Sequence, residues 1–201
     1  MKIVIATSNR HKIHEIADKM SDLADFSFIQ MSDVCPPMEI DENGSTFAEN
    51  ALIKAREVLA ASGLPALADD SGLAVNALNG EPGIFSARYG NLPDDRSRYE
   101  RVLSLMEKIP DGSRNARFVC AMALVLPDGR EFVAEGRCEG SIARAPEGTH
   151  GFGYDPVFIV GKGPLTMAQI PLEEKNRISH RALALDKLRE ILSSLKDGGS
   201  L

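Results

Sequence analysis

Apolar positions recur along the chain with two periods, and the switches between them lay out its elements. Residues 2–6 are rich in Ile and Val, which predicts a buried first strand. Ile13, Ile16, Ala17 and Met20 follow at the i, i+3, i+4, i+7 spacing of a helix. Ser8 or Asn9 is its expected cap. A second strand is expected over 26–30, followed by a loop with Pro36-Pro37 and the acidic residues Glu39, Asp41 and Glu42. Thr46, with Glu49 three residues on, reads as a capping box opening a longer helix whose apolar stripe is Phe47, Ala51, Ala55, Val58 and Leu59. Asn50 and Lys54 lie four apart and share a face beside that stripe. Gly63-Leu64-Pro65 ends the helix.

Ala66-Leu67-Ala68 then runs straight into Asp69-Asp70-Ser71-Gly72. An apolar run ending in two carboxylates reads as a buried strand delivering acidic groups at its carboxyl end, where open α/β sheets bind ligands. The competing reading is a plain turn, since all four residue types favour turns. Leu73-Ala74-Val75 reads as a separate short strand, Asn79-Gly80-Glu81-Pro82-Gly83 as a tight loop, and 86–90 as a binding loop with Arg88 as an anion contact. A third helix is expected over 93–109, with Tyr99, Val102, Leu103 and Met106 as its stripe. Residues 116–126 and 131–138, joined through Asp128-Gly129, predict a long antiparallel hairpin. The fold class is therefore α/β with a mixed sheet. A glycine-rich segment over 147–156 precedes an apolar strand over 157–160, and a loop follows over 161–171. Ser179-His180-Arg181 opens the last helix, with Ala182, Leu185, Leu188, Leu192 and Leu195 as its core face. The Asp197-Gly198-Gly199-Ser200 tail is expected to fray.

Composition narrows the function classes. The 201 residues are 43% hydrophobic and 26% charged, as in an ordinary globular chain of one folding unit. The net charge of −6 disfavours a duplex-binding surface, which needs a dominant basic face. No apolar run is long enough to span a bilayer, and residues 1–6 are too short for a signal-peptide core before Thr7-Ser8-Asn9, so a cytoplasmic protein is expected. Cys35, Cys120 and Cys138 show no Cys-x-x-Cys spacing and read as core residues of a reduced protein.

Several segments carry candidate chemistry. Thr7-Ser8-Asn9-Arg10-His11-Lys12 joins a strand to a helix start whose unpaired N–H groups, with Lys12, suit an anion. It lacks the glycines of a P-loop. Asp69 and Asp70 repel each other unless a cation or hydrogen-bond donors intervene, and Mg²⁺ is the hard ion that oxygen ligands hold beside phosphate. Two glycines frame Phe152 so that its ring can stack on a flat ligand, while Tyr154 and Asp155 offer polar edges. His180 and Arg181 sit in a first helical turn, where cations oppose the helix dipole unless an electronegative ligand is near. Lys12, Lys54 and Lys175 for phosphates, Glu42 with Asp69 or Asp70 for Mg²⁺, and Phe152 with His180 and Arg181 for a base together describe a nucleoside triphosphate site. A sensor that binds a triphosphate without cleaving it is the alternative from another class; the paired aspartates count against it, because they repel phosphate without a metal.

These motifs, with Gly83-Ile84-Phe85-Ser86-Ala87-Arg88-Tyr89 and Gly151-Phe152-Gly153-Tyr154-Asp155-Pro156, resemble the inosine triphosphate pyrophosphatase family along nearly the whole chain. The resemblance implies a single domain over 1–201, built as an elongated α/β structure with a twisted mixed sheet, flanking helices and an active site in the cleft between two lobes. It implies hydrolysis of ITP, dITP and XTP to the monophosphate and pyrophosphate, with Mg²⁺, by a cytoplasmic homodimer acting on the nucleotide pool rather than on nucleic acid or at a membrane. By the same resemblance Asp70 is the catalytic base, Glu42, Asp70 and Asp69 stand at the metal, and Thr7, Ser8, Asn9, Arg10, His11, Lys12 and Lys54 hold phosphates. Ser71 contacts substrate, Phe152, Gly153, Tyr154, Asp155 and Lys175 surround the base, and His180 and Arg181 read its keto edge. Ser8, where the family commonly has glycine, and His11 depart from the pattern. A pyrimidine-directed Maf-like pyrophosphatase is the alternative among enzymes.

Overall fold

The computed structural model describes residues 1–197; positions 198–200 of the tail expected to fray lie outside the described residues. Six strands form one mixed sheet in the order β2-β1-β3-β4-β5-β6. They are β1 (Lys2–Ile5), β2 (Ser27–Gln30), β3 (Ala66–Val75), β4 (Asn115–Val125), β5 (Glu131–Ile142) and β6 (Phe158–Val160). β1 runs parallel to both β2 and β3, whereas β5 and β6 are antiparallel. The helices are α1 (Arg10–Met20), α2 (Phe47–Ser62), α3 (Asp95–Leu105), α4 (Leu172–Ile178) and α5 (His180–Asp197). The α/β class with a mixed sheet and flanking helices is as expected. No helix among the described residues is long and apolar enough to cross a membrane.

By contact density the chain divides into two units. One comprises Met1–Asp70, Cys120–Gly136 and the chain from Arg181 onward; the other comprises Ser71–Val119 and Arg137–His180. The first holds two cores. Ile3, Ile5 and Leu67 pack with Ile16 and Met20 of α1 and with Leu185, Leu188 and Leu192 of α5. Val4, Ala66 and Ala68 pack with Ala51, Ala55 and Val58 of α2. Alanines on both the helix and the strands let α2 lie close to the sheet. The second unit is built around Leu73, Val75, Val102, Met106, Phe118, Tyr154 and Phe158. Within it the buried Arg114 donates to the carbonyls of Met106, Ile109, Ile142 and Ala143, fastening the segment after α3 to the end of β5.

Local signals hold where they act over a few residues. Asn9 rather than Ser8 caps α1, its Oδ1 accepting from the His11 and Lys12 N–H groups. Thr46 accepts from the Glu49 N–H as expected, but the Glu49 carboxylate reaches Ser45, at 2.6 Å, instead of closing the box on Thr46. Three expectations change. α3 starts two residues later and stops four earlier than its pattern suggested. Residues 86–90 cross a kink between two short 3-10 turns within Gly83–Asn91, with non-helical backbone at Arg88, Tyr89 and Gly90 and with Ser86 and Tyr89 buried, instead of forming an open loop. The largest change is β3, which neither turns nor ends at the aspartates but runs through Ser71 and Gly72 to Val75. Gly72 makes that passage possible: a Cβ there would lie 2.3 Å from Ser86 Oγ and 2.6 Å from the Gly83 carbonyl oxygen.

The cysteines are core residues. Cys120 is fully buried in the first unit, where burial pushes its thiol up to about 12, and burial pushes Cys138 of the second unit up to about 11. Thiolate is the reactive form. Native protein treated with a water-soluble aromatic disulfide is therefore expected to yield one fast thiol, the half-buried Cys35. The other two should titrate only in denaturant, and three fast thiols in native protein would overturn this.

Candidate active site

Period-two alternation along β3 decides what becomes of its adjacent aspartates. Leu67 faces the α1 and α5 core, whereas Ala66 and Ala68 face α2. Side chains two apart share a face. Asp69 therefore follows Leu67 toward α1 and α5, and Asp70 follows Ala68 toward α2.

On the first face, α1 presents Lys12 and, one turn on, Glu15; α5 presents Arg181 from its first turn. Lys12 Nζ lies 3.0 Å from Asp69 Oδ2, and Arg181 donates to the same oxygen through Nη2 at 3.0 Å and Nε at 3.3 Å. Arg181 Nη1 donates to Glu15 Oε2 at 2.5 Å. Arg181 and Asp69 are each 1% exposed, so this is a buried network of two cations and two anions. Burial alone would push the Asp69 carboxyl up; Lys12, Arg181 and Lys54 outweigh it and hold that carboxyl well below the usual range. Burial likewise opposes the Arg181 charge, and Asp69 and Glu15 more than restore it, so its pKa is raised.

On the second face, α2 places Asn50 and Lys54 one turn apart. Asn50 Nδ2 donates to Asp70 Oδ2 at 3.1 Å. Lys54 Nζ lies 3.5 Å from Asp70 Oδ1 and 3.3 Å from Glu42 Oε2. Burial, reinforced by the charge of Glu42, raises the Asp70 pKa despite Lys54, Asn50 and Lys12. Neighbouring carboxyls thus shift in opposite senses, because one is surrounded by cations and the other shares its cation with a second carboxylate. Two hard oxygen donors already gathered around one ammonium are the donor set that Mg²⁺ requires when phosphates supply its other ligands. Glu42 and Asp70 fit that ion; Oδ2 of Asp69 lies against Lys12 and Arg181. Thr7, Ser8, Asn9, Arg10 and His11 precede this cluster as an exposed to half-buried polar stretch, with the Asn9 N–H on Thr7 Oγ1 at 3.2 Å.

The second unit holds the remaining candidates. Asp155 Oδ2 accepts from the Phe152 N–H at 3.0 Å and from Lys175 Nζ at 2.8 Å, and the same ammonium stands 5.0 Å from the centre of the Phe152 ring. The Gly153 N–H donates to Asp95 Oδ2. Gly151 has φ +79°, and a Cβ there would fall 2.0 Å from Asp155 Oδ2, so only glycine lets the turn close over the ion pair. Tyr154 does not present its polar edge outward: it is buried, and its hydroxyl donates to the Ser86 carbonyl. His180 stacks on Phe118 with ring centres 4.7 Å apart. Ser71 is half-buried on β3.

Glu15 escaped sequence reasoning, and the settings of Asn50 and Lys175 were only partly legible. Glu15 was signalled only by its position, three residues after Lys12 and beside Ile16. Asn50 was placed on the correct face but without a partner. Helix α4, which carries Lys175, is too short for its periodicity to register.

A dITP/XTP pyrophosphatase of Symbiobacterium thermophilum is 47% identical over 199 residues, 98% of either chain. One of Thermus thermophilus is 47% identical over 198 residues, 98% of this chain and 93% of that one. The solved structure of a HAM1 protein from Coxiella burnetii superposes with a TM-score of 0.87 at 43% identity, covering 96% of this chain and 99% of that one. The model of the Ham1 family matches residues 3–191, and with it the strand, both faces of Asp69-Asp70 and the Phe152 turn, so the chain belongs to the Ham1 family.

Proposed function

We propose that the protein is a nucleoside triphosphate pyrophosphohydrolase that converts dITP, ITP and XTP to the monophosphate and pyrophosphate. The observation that carries this reading is the convergence of Glu42 and Asp70 on Lys54, a carboxylate pair able to hold a divalent ion beside a lysine. Relatives spanning the whole chain and named dITP/XTP pyrophosphatase support the substrate class. Glu42 and Asp70 would hold Mg²⁺, which when bound neutralises phosphate oxygens at the reacting centre.

Asp70 accepts the proton of the attacking water. The water oxygen bonds to the α-phosphorus as the bond from that phosphorus to the bridging oxygen breaks, and pyrophosphate leaves with the electron pair. A base of raised pKa, closer to neutrality, suits that proton transfer. Lys54, Lys12 and the polar stretch 7–11 hold the phosphates, and Ser71 follows Asp70 at the substrate. In this reading Phe152 stacks on the base, Lys175, Gly153, Tyr154 and Asp155 shape its surroundings, and His180 and Arg181 read its 6-keto edge. Arginine only donates, so an adenine amino group would face a second donor there. The protein acts as a single domain over 1–201, in the cytoplasm, as a homodimer.

Pyrophosphate release from ITP, XTP, GTP and ATP, with Mg²⁺ and with EDTA, tests the reading. Metal-dependent release from ITP and XTP, with little from GTP and ATP, is expected. Binding of ITP without release under any divalent metal would overturn it.

A further inference from the structure

Asn50 is completely buried on α2, and both ends of its amide are committed. Nδ2 donates to Asp70 Oδ2 at 3.1 Å, and Oδ1 accepts from the Gly44 N–H at 2.8 Å. An ionised carboxylate only accepts and a backbone N–H only donates, so chemistry fixes the direction of this amide without ambiguity. Gly44 is two residues beyond Glu42 on the loop before α2. A Cβ on Gly44 would lie 2.7 Å from Asn50 Oδ1 and 2.7 Å from Glu49 Cβ, so the loop reaches Asn50 only because this position is glycine. One turn further along α2, Lys54 touches both Glu42 and Asp70. Aspartate and serine would not do the same work, since neither offers a donor and an acceptor in opposite directions at this span.

We infer that Asn50 is a positioning residue: it ties the Glu42-bearing loop to Asp70, so that the two carboxylates are held at one spacing around a shared cation site. The inference rests on reading Glu42 and Asp70 as the metal pair. It makes Gly44 the loop-side half of the same device, and it explains why a neutral amide lies buried between a strand carboxylate and a loop that Lys54 also joins. Neutrality matters as well as shape, because a third carboxylate at this point would repel both partners of the pair.

Asn50→Ala and Gly44→Ala test it by separate routes. The first removes the bridge; the second leaves Asn50 and Asp70 intact and displaces only the loop. Two readouts are taken beside turnover: binding of Mn²⁺ alone, followed through the spectrum of the free ion, and hydrogen exchange at the amide of residue 44. Each variant is expected to bind Mn²⁺ about tenfold more weakly, the effect typical of losing an outer hydrogen bond to a metal ligand, and to exchange that amide about tenfold faster. The metal concentration for half-maximal turnover should rise while the KM for ITP stays within about twofold. If Asn50→Ala fails to fold, Gly44→Ala decides alone. Unchanged exchange at residue 44 in the folded variants would overturn the tether whatever the protein's activity. Unchanged Mn²⁺ affinity with accelerated exchange would overturn its link to the metal pair. Failure of the unaltered protein to release pyrophosphate would instead remove the pyrophosphatase reading, leaving the exchange measurement to judge the tether.

Discussion

Asp70→Asn is expected to slow pyrophosphate release from ITP by about a hundredfold to ten-thousandfold, the range lost when a positioned general base is removed. The substitution preserves volume, and an asparagine can still offer its carbonyl oxygen to Asn50 Nδ2, so the strand and the α2 face should persist. What disappears is the proton acceptor and one of the two charges converging on Lys54. Burial strengthens the expectation: it raises the Asp70 pKa, which makes the carboxylate a better base than that of an exposed aspartate. Rapid-quench measurement of pyrophosphate, paired with calorimetric binding of ITP, separates chemistry from affinity. Full turnover with normal binding would mean that another group takes the proton.

Arg181→Leu is expected to cost about 3–5 kcal/mol of stability, as measured when one partner of a buried ion pair is deleted. The loss is large because the guanidinium serves two buried carboxylates at once. Asp69 would keep Lys12, but Glu15 would lose its 2.5 Å contact with the guanidinium, and neither carboxylate is near enough to solvent to recover its hydration. Arg181→Lys should fall short of wild type as well, since an ammonium cannot fork between Asp69 and Glu15 as the planar guanidinium does. Urea unfolding at neutral pH reads the difference, and a cost below about 1 kcal/mol would show that the network adds little. The same residue is proposed to read the base, so Arg181→Ala should also flatten the preference for ITP over ATP. Taking the two rates as a ratio in one preparation cancels any change in the folded fraction.

The two variants probe opposite faces of the same dipeptide. Asp69 and Asp70 look alike in the chain, yet one is held ionised by two protein cations and the other is left with a raised pKa beside a second carboxylate. Loss of the proton acceptor is expected to dominate at the second, and loss of the buried ion-pair network together with base preference at the first.

Much of this is legible in the linear chain. The cap at Asn9, the Thr46 start of α2, the hairpin turn at Gly129 and the stripes of α1, α2 and α5 depend on backbone preferences and periodicities acting over a few residues, and such signals survive in a linear chain. Residue types told which side chains carry chemistry, and Asn50 with Lys54 was already on the correct face. Partnership was not legible. Arg181 meets Glu15 across 166 positions and Asp69 across 112, and Asn50 joins Asp70 to Gly44. Local pattern also misjudged β3, since two adjacent carboxylates followed by Ser and Gly read as the end of a strand. Only stacking α1 and α5 on one face of β3 and α2 on the other supplied the cations and amide that let both aspartates lie within it. Alternation along that buried strand then sent each to a different set of neighbours, because a strand can tell its two faces apart only when different helices cover them.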